Sequence, residues 1–479
     1  MKRKFSDGEN SSLDFEDSHN RGESVKNSMI MNDKLQGNST IIFSIANAMM
    51  GPSVLLLPLN FMDIGLLSST VVAFFLCLVS YRTCDLTHLH TRPDEIEYIS
   101  AIERIMGKTW NSVYFVNSVV ILWMAGMIYF LSLCDVTYSA LQLIFNVTWP
   151  AEETITFDTF SYQYIGIIIM ILIGWLFFLP KLGKILDLTE KGIYSIIAEG
   201  LFLVFLGGKA LLSGSVKFVF HSDNVEDEVV AFTTSFSIVD TVGVFAMAFA
   251  IHNSVVAIVR KSREPSKSSR NVALAYVLTF GVYVITGVFG CIGLYTKKKL
   301  NPNTVLNNTL YDRNDTFTLV LLIITQLMTS FQLVTVLPVV NNIVRNQFFI
   351  MIWGEEGVPP RSAFIGFNLL YIISFLIIQI FNISPGTVMK YGGAFIGFVI
   401  IYLLPVGIHL KALRTKQRVE SEGYRSFKNE SDNMKADYAD LPDFLRKKDK
   451  INYVWEYGVH GVIMAVGVAI FISQLVGLF

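Results

Sequence analysis

The sequence predicts an all-α polytopic membrane protein of eleven transmembrane helices, and three observations carry that class. Of its 479 residues 52% are hydrophobic and only 16% charged, with a mean hydropathy of +0.50, which is too apolar for a water-soluble chain of this size. Apolar runs long enough to cross about 30 Å of hydrocarbon recur along the chain. The first of them, "NAMMGPSVLLLP", is interrupted at Gly51-Pro52, where a membrane helix should be smoothest.

The runs lie near 39–60, 64–86, 112–146, 162–180, 189–213, 236–259, 272–295, 316–344, 363–382, 387–409 and 453–477. They divide the chain into a tail (1–37), a ten-helix core (38–409), a polar loop (410–452) and an eleventh helix (453–479). The tail opens with Lys2-Arg3-Lys4 but has no apolar core behind it, so it does not read as a signal peptide. Its Ser, Asp, Glu and Asn content predicts disorder. The loop carries both signs of charge and reads as a solvated segment or a short surface helix.

Most of the 38 Lys and Arg residues fall on one side if the N-terminus is cytosolic, and the short stretch "RKSREPSKSSR" alone carries five. That orientation places the loops 147–161, 214–235 and 296–315 in the lumen or outside the cell. The sequons at Asn146, Asn307 and Asn314 then face that side and are candidate glycosylation sites. Cys77, Cys84, Cys134 and Cys291 fall in or beside apolar runs without paired spacing and read as packing residues.

Inside hydrocarbon a broken helix strands amide and carbonyl groups at several kcal/mol each unless something polar fills the gap. Freed N–H groups and the positive end of the second half-helix suit a carboxylate, and freed carbonyls suit an ammonium or a metal cation. A plain Gly-Pro kink is the alternative. If two inverted five-helix repeats build the core, a second break is expected five spans later, where "DTVGVFAMAFAIHNSVVAIV" places Gly243 and His252-Asn253-Ser254 in an apolar run.

"NAMMGPSVLLLP", "AFAIHN", "FQLVTVLPVVNNIVRNQ" and "KYGGAFIGFVIIYLLP", in this order, resemble the amino acid/auxin permease family and, within it, the sodium-coupled solute carrier family 38, in particular its lysosomal arginine transporter and sensor branch. The resemblance runs from about residue 37 to the end. It implies a fold like that of the bacterial leucine transporter, with a 5+5 inverted repeat plus one helix. It implies a sodium site on Asn47 and Thr335, and substrate contacts along Asn47, Ala48, Met49, Met50, Gly51, Pro52 and Ser53. Oxygen donors suit a hard cation. The arginine-binding relatives have threonine at the position of Pro52, so a hydroxyl and an N–H are both missing here. The tail has no counterpart of the segment by which those relatives engage Rag GTPases and Ragulator, so a Rag/Ragulator-type partner is not expected through that contact.

Charge inside a membrane is functional by default. Glu199, near the middle of the fifth span, is the candidate for proton or cation coupling, and His252 is a second, with a packed and hydrogen-bonded histidine as its plainer reading. Lys209 should snorkel to the outer interface, and Asp135 should face an aqueous vestibule. "DLTHLH" offers Asp85, His88 and His90 as metal ligands but shows no remote partner in the sequence. No HExxH, GxSxG, P-loop or GxGxxG stands in a suitable setting, so the chain is not expected to be an enzyme, to carry an organic cofactor or to bind nucleic acid. The expected function is a secondary active amino acid transporter, sodium-coupled, moving substrate from a lysosome- or vacuole-like lumen to the cytosol by alternating access. A lumenal amino acid receptor and a proton-coupled plasma-membrane permease are the alternatives.

Overall fold

The computed structural model describes residues 35–92, 95, 98–145, 160–179, 191–214, 216–221, 229–232, 237–294, 315–354, 359–423, 441–446 and 451–476. Asn146, Asn307 and Asn314 lie outside them, as does nearly all of the tail.

The first span is two helices, α1 (Asn38–Met50) and α2 (Ser53–Ile64), bent by 59°. Helix α1 stops because Gly51 takes φ 21° and ψ −139°, a backbone state that side chains rarely allow. Pro52 then serves as N-cap of α2, where its missing N–H is one the helix would not have used internally. There follow α3 (Leu66–His90), the short α4 (Tyr98–Met106), α5 (Lys108–Ile144), α6 (Tyr162–Ile173, continued by a 3₁₀ turn to Phe178) and α7 (Ile193–Leu212).

Two strands, β1 (Phe218–His221) and β2 (Val229–Phe232), pair in parallel where the sequence predicted only a loop. Each contributes four residues, too few for a clear alternation signal. Beyond them come α8 (Ser237–Ala248), α9 (Val255–Val259), α10 (Ser268–Leu294), α11 (Thr316–Trp353), α12 (Arg361–Ile380), α13 (Pro385–Tyr391), α14 (Leu404–Gly423), α15 (Asp443–Arg446) and α16 (Tyr453–Val476). Between α13 and α14 the chain winds as π-helix over Gly392–Ile396 and Phe398–Leu403.

Among the described residues eight helical stretches are long and apolar enough to cross a membrane, nine with the bent pair α1–α2. Two shorter apolar helices, Tyr162–Phe178 and Ile238–Ala248, stand at the expected fourth and sixth spans. Helix α14 runs on to Gly423, so the predicted polar loop begins with about four more helical turns. Leu413 and Ala412 on that extension pack with Leu441 and Leu445, an apolar cluster too sparse in sequence to register there.

Helices α5 and α11 pack against each other over much of their lengths, and α10 lies against α1, α2, α3 and α7. Ile171, Leu201, Val277 and Val462 remain well exposed on the spans, a surface suited to lipid rather than water. The four cysteines are buried and unbridged, as packing residues should be. Asp135 is fully buried rather than turned to a vestibule, because α5 is enclosed at that depth and not only at its middle.

Two membrane faces can be told apart. On the N-terminal face, Gln36 exchanges backbone hydrogen bonds with Lys261 and Arg263, and the Asn38 amide donates to Glu264 Oε1 at 2.9 Å. The Lys267 ammonium and the Asn38 amide hold the Glu264 carboxyl below its ordinary range. On the opposite face Asp315 caps α11 through Phe317 N and Thr318 N and accepts from Lys209 Nζ at 2.5 Å. The Lys209 ammonium and the Thr318 donors hold the Asp315 carboxyl well below the usual carboxylate range. A carboxyl depressed in the folded state contributes stability that is present above its unfolded value and is lost as pH falls through the lowered one, so Asp315 stays ionised below the usual carboxylate range.

Candidate substrate site between two helix breaks

The sixth span unwinds at the expected place. Helix α8 ends at Ala248 and α9 begins at Val255, leaving Phe249–Ser254 without regular helix. Gly243, read from sequence as part of that interruption, lies within α8, and its role is close packing. A Cβ there would come within 2.6 Å of the Lys390 carbonyl oxygen, where α8 crosses α13.

Three carbonyls at the two breaks are met by hydroxyls from α10. The Tyr283 hydroxyl lies 2.8 Å from Met49 O and 3.0 Å from Ala248 O, bridging the last turn of α1 to that of α8. Its single proton serves one carbonyl at a time. Two turns earlier on the same face, Tyr276 Oη donates to Phe249 O at 3.0 Å. No local motif announces this arrangement, since the tyrosines are more than two hundred residues from the first break. A seven-residue spacing of tyrosines within an apolar run is the only trace it leaves in sequence.

Beside the breaks lies a cavity of about 260 Å³. Asn47 and Ala48 of α1, Tyr129 of α5, His252, Asn253 and Ser254 of the second break, and Gln332 of α11 all line it. Further walls are aliphatic, among them Ile121, Val340 and Ile343, with Ile400 from the π-helical stretch. Helix α11 runs toward the N-terminal face, so Gln332 to Ile343 takes the cavity about 16 Å in that direction. On the opposite side Lys390 Nζ meets Asp240 Oδ1 at 2.6 Å, joining α13 to α8.

Of the seven residues expected along the first break, Asn47 and Ala48 reach the cavity wall. Met49 and Met50 are buried in the main apolar core, and Gly51, Pro52 and Ser53 are buried at the break. Tyr129 presses its hydroxyl against Gly51, so the phenol stands between the break and the cavity. Asn47 Oδ1 has no hydrogen-bond partner among the described residues. Thr335 Oγ1 donates to Gln332 O at 2.9 Å, a local backbone bond of the kind membrane threonines make.

His252 lines the cavity, and its Nε2 lies 2.9 Å from Thr83 Oγ1. This is the packed, hydrogen-bonded histidine. Glu199 is buried on α7 and is not among the cavity residues. Tyr129 and Gln332 are cavity residues that sequence reasoning passed over, because each sits in a long helix without a local break.

These features match a known family. The family described as transmembrane amino acid transporter protein covers residues 37–425. The chain belongs to it. The sodium-coupled neutral amino acid transporter 9 homolog of Caenorhabditis elegans is 23% identical over 430 residues, 78% of this chain and 68% of that protein. The neutral amino acid transporter 9 of Danio rerio is 25% identical over 178 residues, 36% of this chain but only 31% of that protein. The crystal structure of MhsT in complex with L-phenylalanine superposes with a TM-score of 0.59, covering 92% of this chain and 99% of that one at 12% identity. This family member therefore has a fold of the bacterial leucine transporter type and is an amino acid transporter, not an enzyme.

Proposed function

We propose that this transporter is a secondary active carrier for neutral amino acids, sodium-coupled, working by alternating access from a lysosome- or vacuole-like lumen to the cytosol. The cavity between the two helix breaks carries the reading. It is sized for a single amino acid. It extends toward the N-terminal face, the cytosolic side by the basic-residue bias, while Lys390 and Asp240 join helices on the other. An arrangement open on one side and tied on the other is one half of an alternating-access cycle.

Neutral selectivity follows from the lining. Its polar groups are three amides, a hydroxyl, an imidazole and a phenol, set among aliphatic walls. Such a wall hydrogen-bonds an α-amino acid and accommodates an uncharged side chain, and a guanidinium would lie against it without a counter-charge. Pro52 withholds one further donor. Pro52→Thr is expected to raise the ability of arginine to compete for uptake several-fold relative to leucine or glutamine. Competition measured in proteoliposomes tests this, and an unchanged ranking removes Pro52 from selectivity.

Sodium coupling rests on Asn47 Oδ1, which has no hydrogen-bond partner among the described residues, together with the family resemblance that pairs it with the hydroxyl oxygen of Thr335. Removing either oxygen should raise the sodium concentration for half-maximal uptake about tenfold. The losses should not add, because two ligands of one ion share one partner. Fully additive losses with unchanged sodium dependence would return both residues to helix packing. Collapse of uptake with the proton gradient, and not with sodium, would favour the proton-coupled alternative.

The deciding experiment is accumulation of labelled neutral amino acids by proteoliposomes with and without an inward sodium gradient. Binding without accumulation would make the protein a receptor.

A further inference from the structure

"DLTHLH" finds its remote partners in the fold, though not through the residues its spacing favours. Asp85 and His88 stay apart from them. His90, the last residue of α3, meets His409 of α14, with Nε2 and Nδ1 3.0 Å apart. His409 in turn faces the first turns of α16. Its Nε2 lies 3.5 Å from Glu456 Oε2, and its ring centroid is 4.3 Å from that of His460. Exposures are 0% for His90, 1% for His409 and 0% for His460.

The hydrogen bonding leaves two buried nitrogens unexplained. His460 Nδ1 lies 2.7 Å from the Glu456 carbonyl oxygen. A carbonyl only accepts, so Nδ1 carries the proton and the lone pair of the neutral ring falls on Nε2. Among the described residues His460 Nε2 is buried with no partner, and His90 Nδ1 is likewise. Three imidazoles gathered out of water against one carboxylate, with two such nitrogens left over, are an uneconomical way to join three helices by hydrogen bonds alone.

We propose that His409, Glu456 and His460 form a binding site for a divalent transition metal of the zinc type, with His90 as a positioning residue. A ring nitrogen of each of the two histidines and a carboxylate oxygen of Glu456 lie within 4.8 Å of one another. Tetrahedral ligation at about 2.0–2.2 Å requires donors about 3.4 Å apart, which small side-chain movements supply. Two imidazoles and a carboxylate leave a fourth position for water, and Glu456, at 14% exposure, gives it a path.

The surrounding groups suit this role. With the metal on His409 Nε2, the proton of His409 sits on Nδ1 and is donated to His90 Nε2, 3.0 Å away. The Glu456 carbonyl likewise accepts from His460 Nδ1–H. Both are the outer hydrogen bonds that metal-ligating histidines require. Arg104 Nη2 donates to the His90 carbonyl at 2.9 Å and fixes the end of α3. Arg82 Nη2, 3.5 Å from Glu456 Oε2, competes with the metal for the carboxylate. Its side chain is one-third exposed, which lets it turn to water when the ion binds. The metal would join α16, the expected eleventh span, to α14, and through His90 to α3, on the N-terminal face.

The test uses the full-length protein, purified in detergent, stripped with a chelator and titrated with Zn²⁺ by equilibrium dialysis. One saturable ion per chain is expected. His409→Gln or His460→Gln should weaken it at least a hundredfold, His90→Gln ten- to a hundredfold, and Arg82→Gln should tighten it. X-ray absorption on the unsubstituted protein should show a nitrogen and oxygen shell with imidazole scattering and no sulfur, a readout independent of whether the variants fold. Absence of saturable binding, a sulfur shell from the cysteines, or full affinity in His409→Gln/His460→Gln would overturn the site. None of these outcomes depends on amino acid transport.

Discussion

Gly51→Ala is expected to reduce amino acid uptake at least tenfold while leaving the protein in the membrane. The new methyl group would meet the Tyr129 hydroxyl head-on and approach Cζ at 3.1 Å. The residue would also have to hold φ 21°, ψ −139° with a Cβ. A non-glycine residue in such a state costs about 1–3 kcal/mol, and each 1.4 kcal/mol is about a factor of ten in a population. The strain falls where α1 and α2 must keep their 59° bend beside the cavity. Uptake per correctly folded molecule, normalised by gel filtration in detergent, is the measurement. Adding Tyr129→Phe should restore part of the loss by removing the clashing oxygen, though not the backbone strain. Normal transport by Gly51→Ala alone would show that this backbone state is not needed.

Tyr283→Phe is the second large effect. It deletes a hydroxyl that reaches Met49 O at the first break and Ala248 O at the second. A buried carbonyl left without a donor costs about 1–3 kcal/mol, and here two carbonyls share the loss. Uptake should fall tenfold or more and the melting temperature should drop. Tyr276→Phe removes a donor from Phe249 O, so it should have the smaller effect on both. If the two substitutions are equally mild, the breaks are held by other groups and the bridge has no mechanical role.

The first break was legible in "NAMMGPSVLLLP" because glycine and proline act on their own backbone. The second was legible in "AIHNSV" because polar side chains in an apolar run need a reason. Tyr129, Gln332 and Tyr283 were not, since a phenol or an amide in a long helix reveals its role only once another helix is placed against it. Asp135 shows the converse, a charge whose depth in the helix predicted water and whose neighbours exclude it.

The amino-acid sequence already specified the solvent, the recurrence of apolar helices and the places where two of them break. All of these follow from local composition and from backbone rules acting over a few residues. Tertiary structure alone decided which groups satisfy the freed carbonyls, which residues wall the cavity, and that His90 meets His409 across 319 residues of chain. Contacts of that kind depend on how helices pack. Packing is set by the summed fit of many side chains, so no short stretch of sequence contains it.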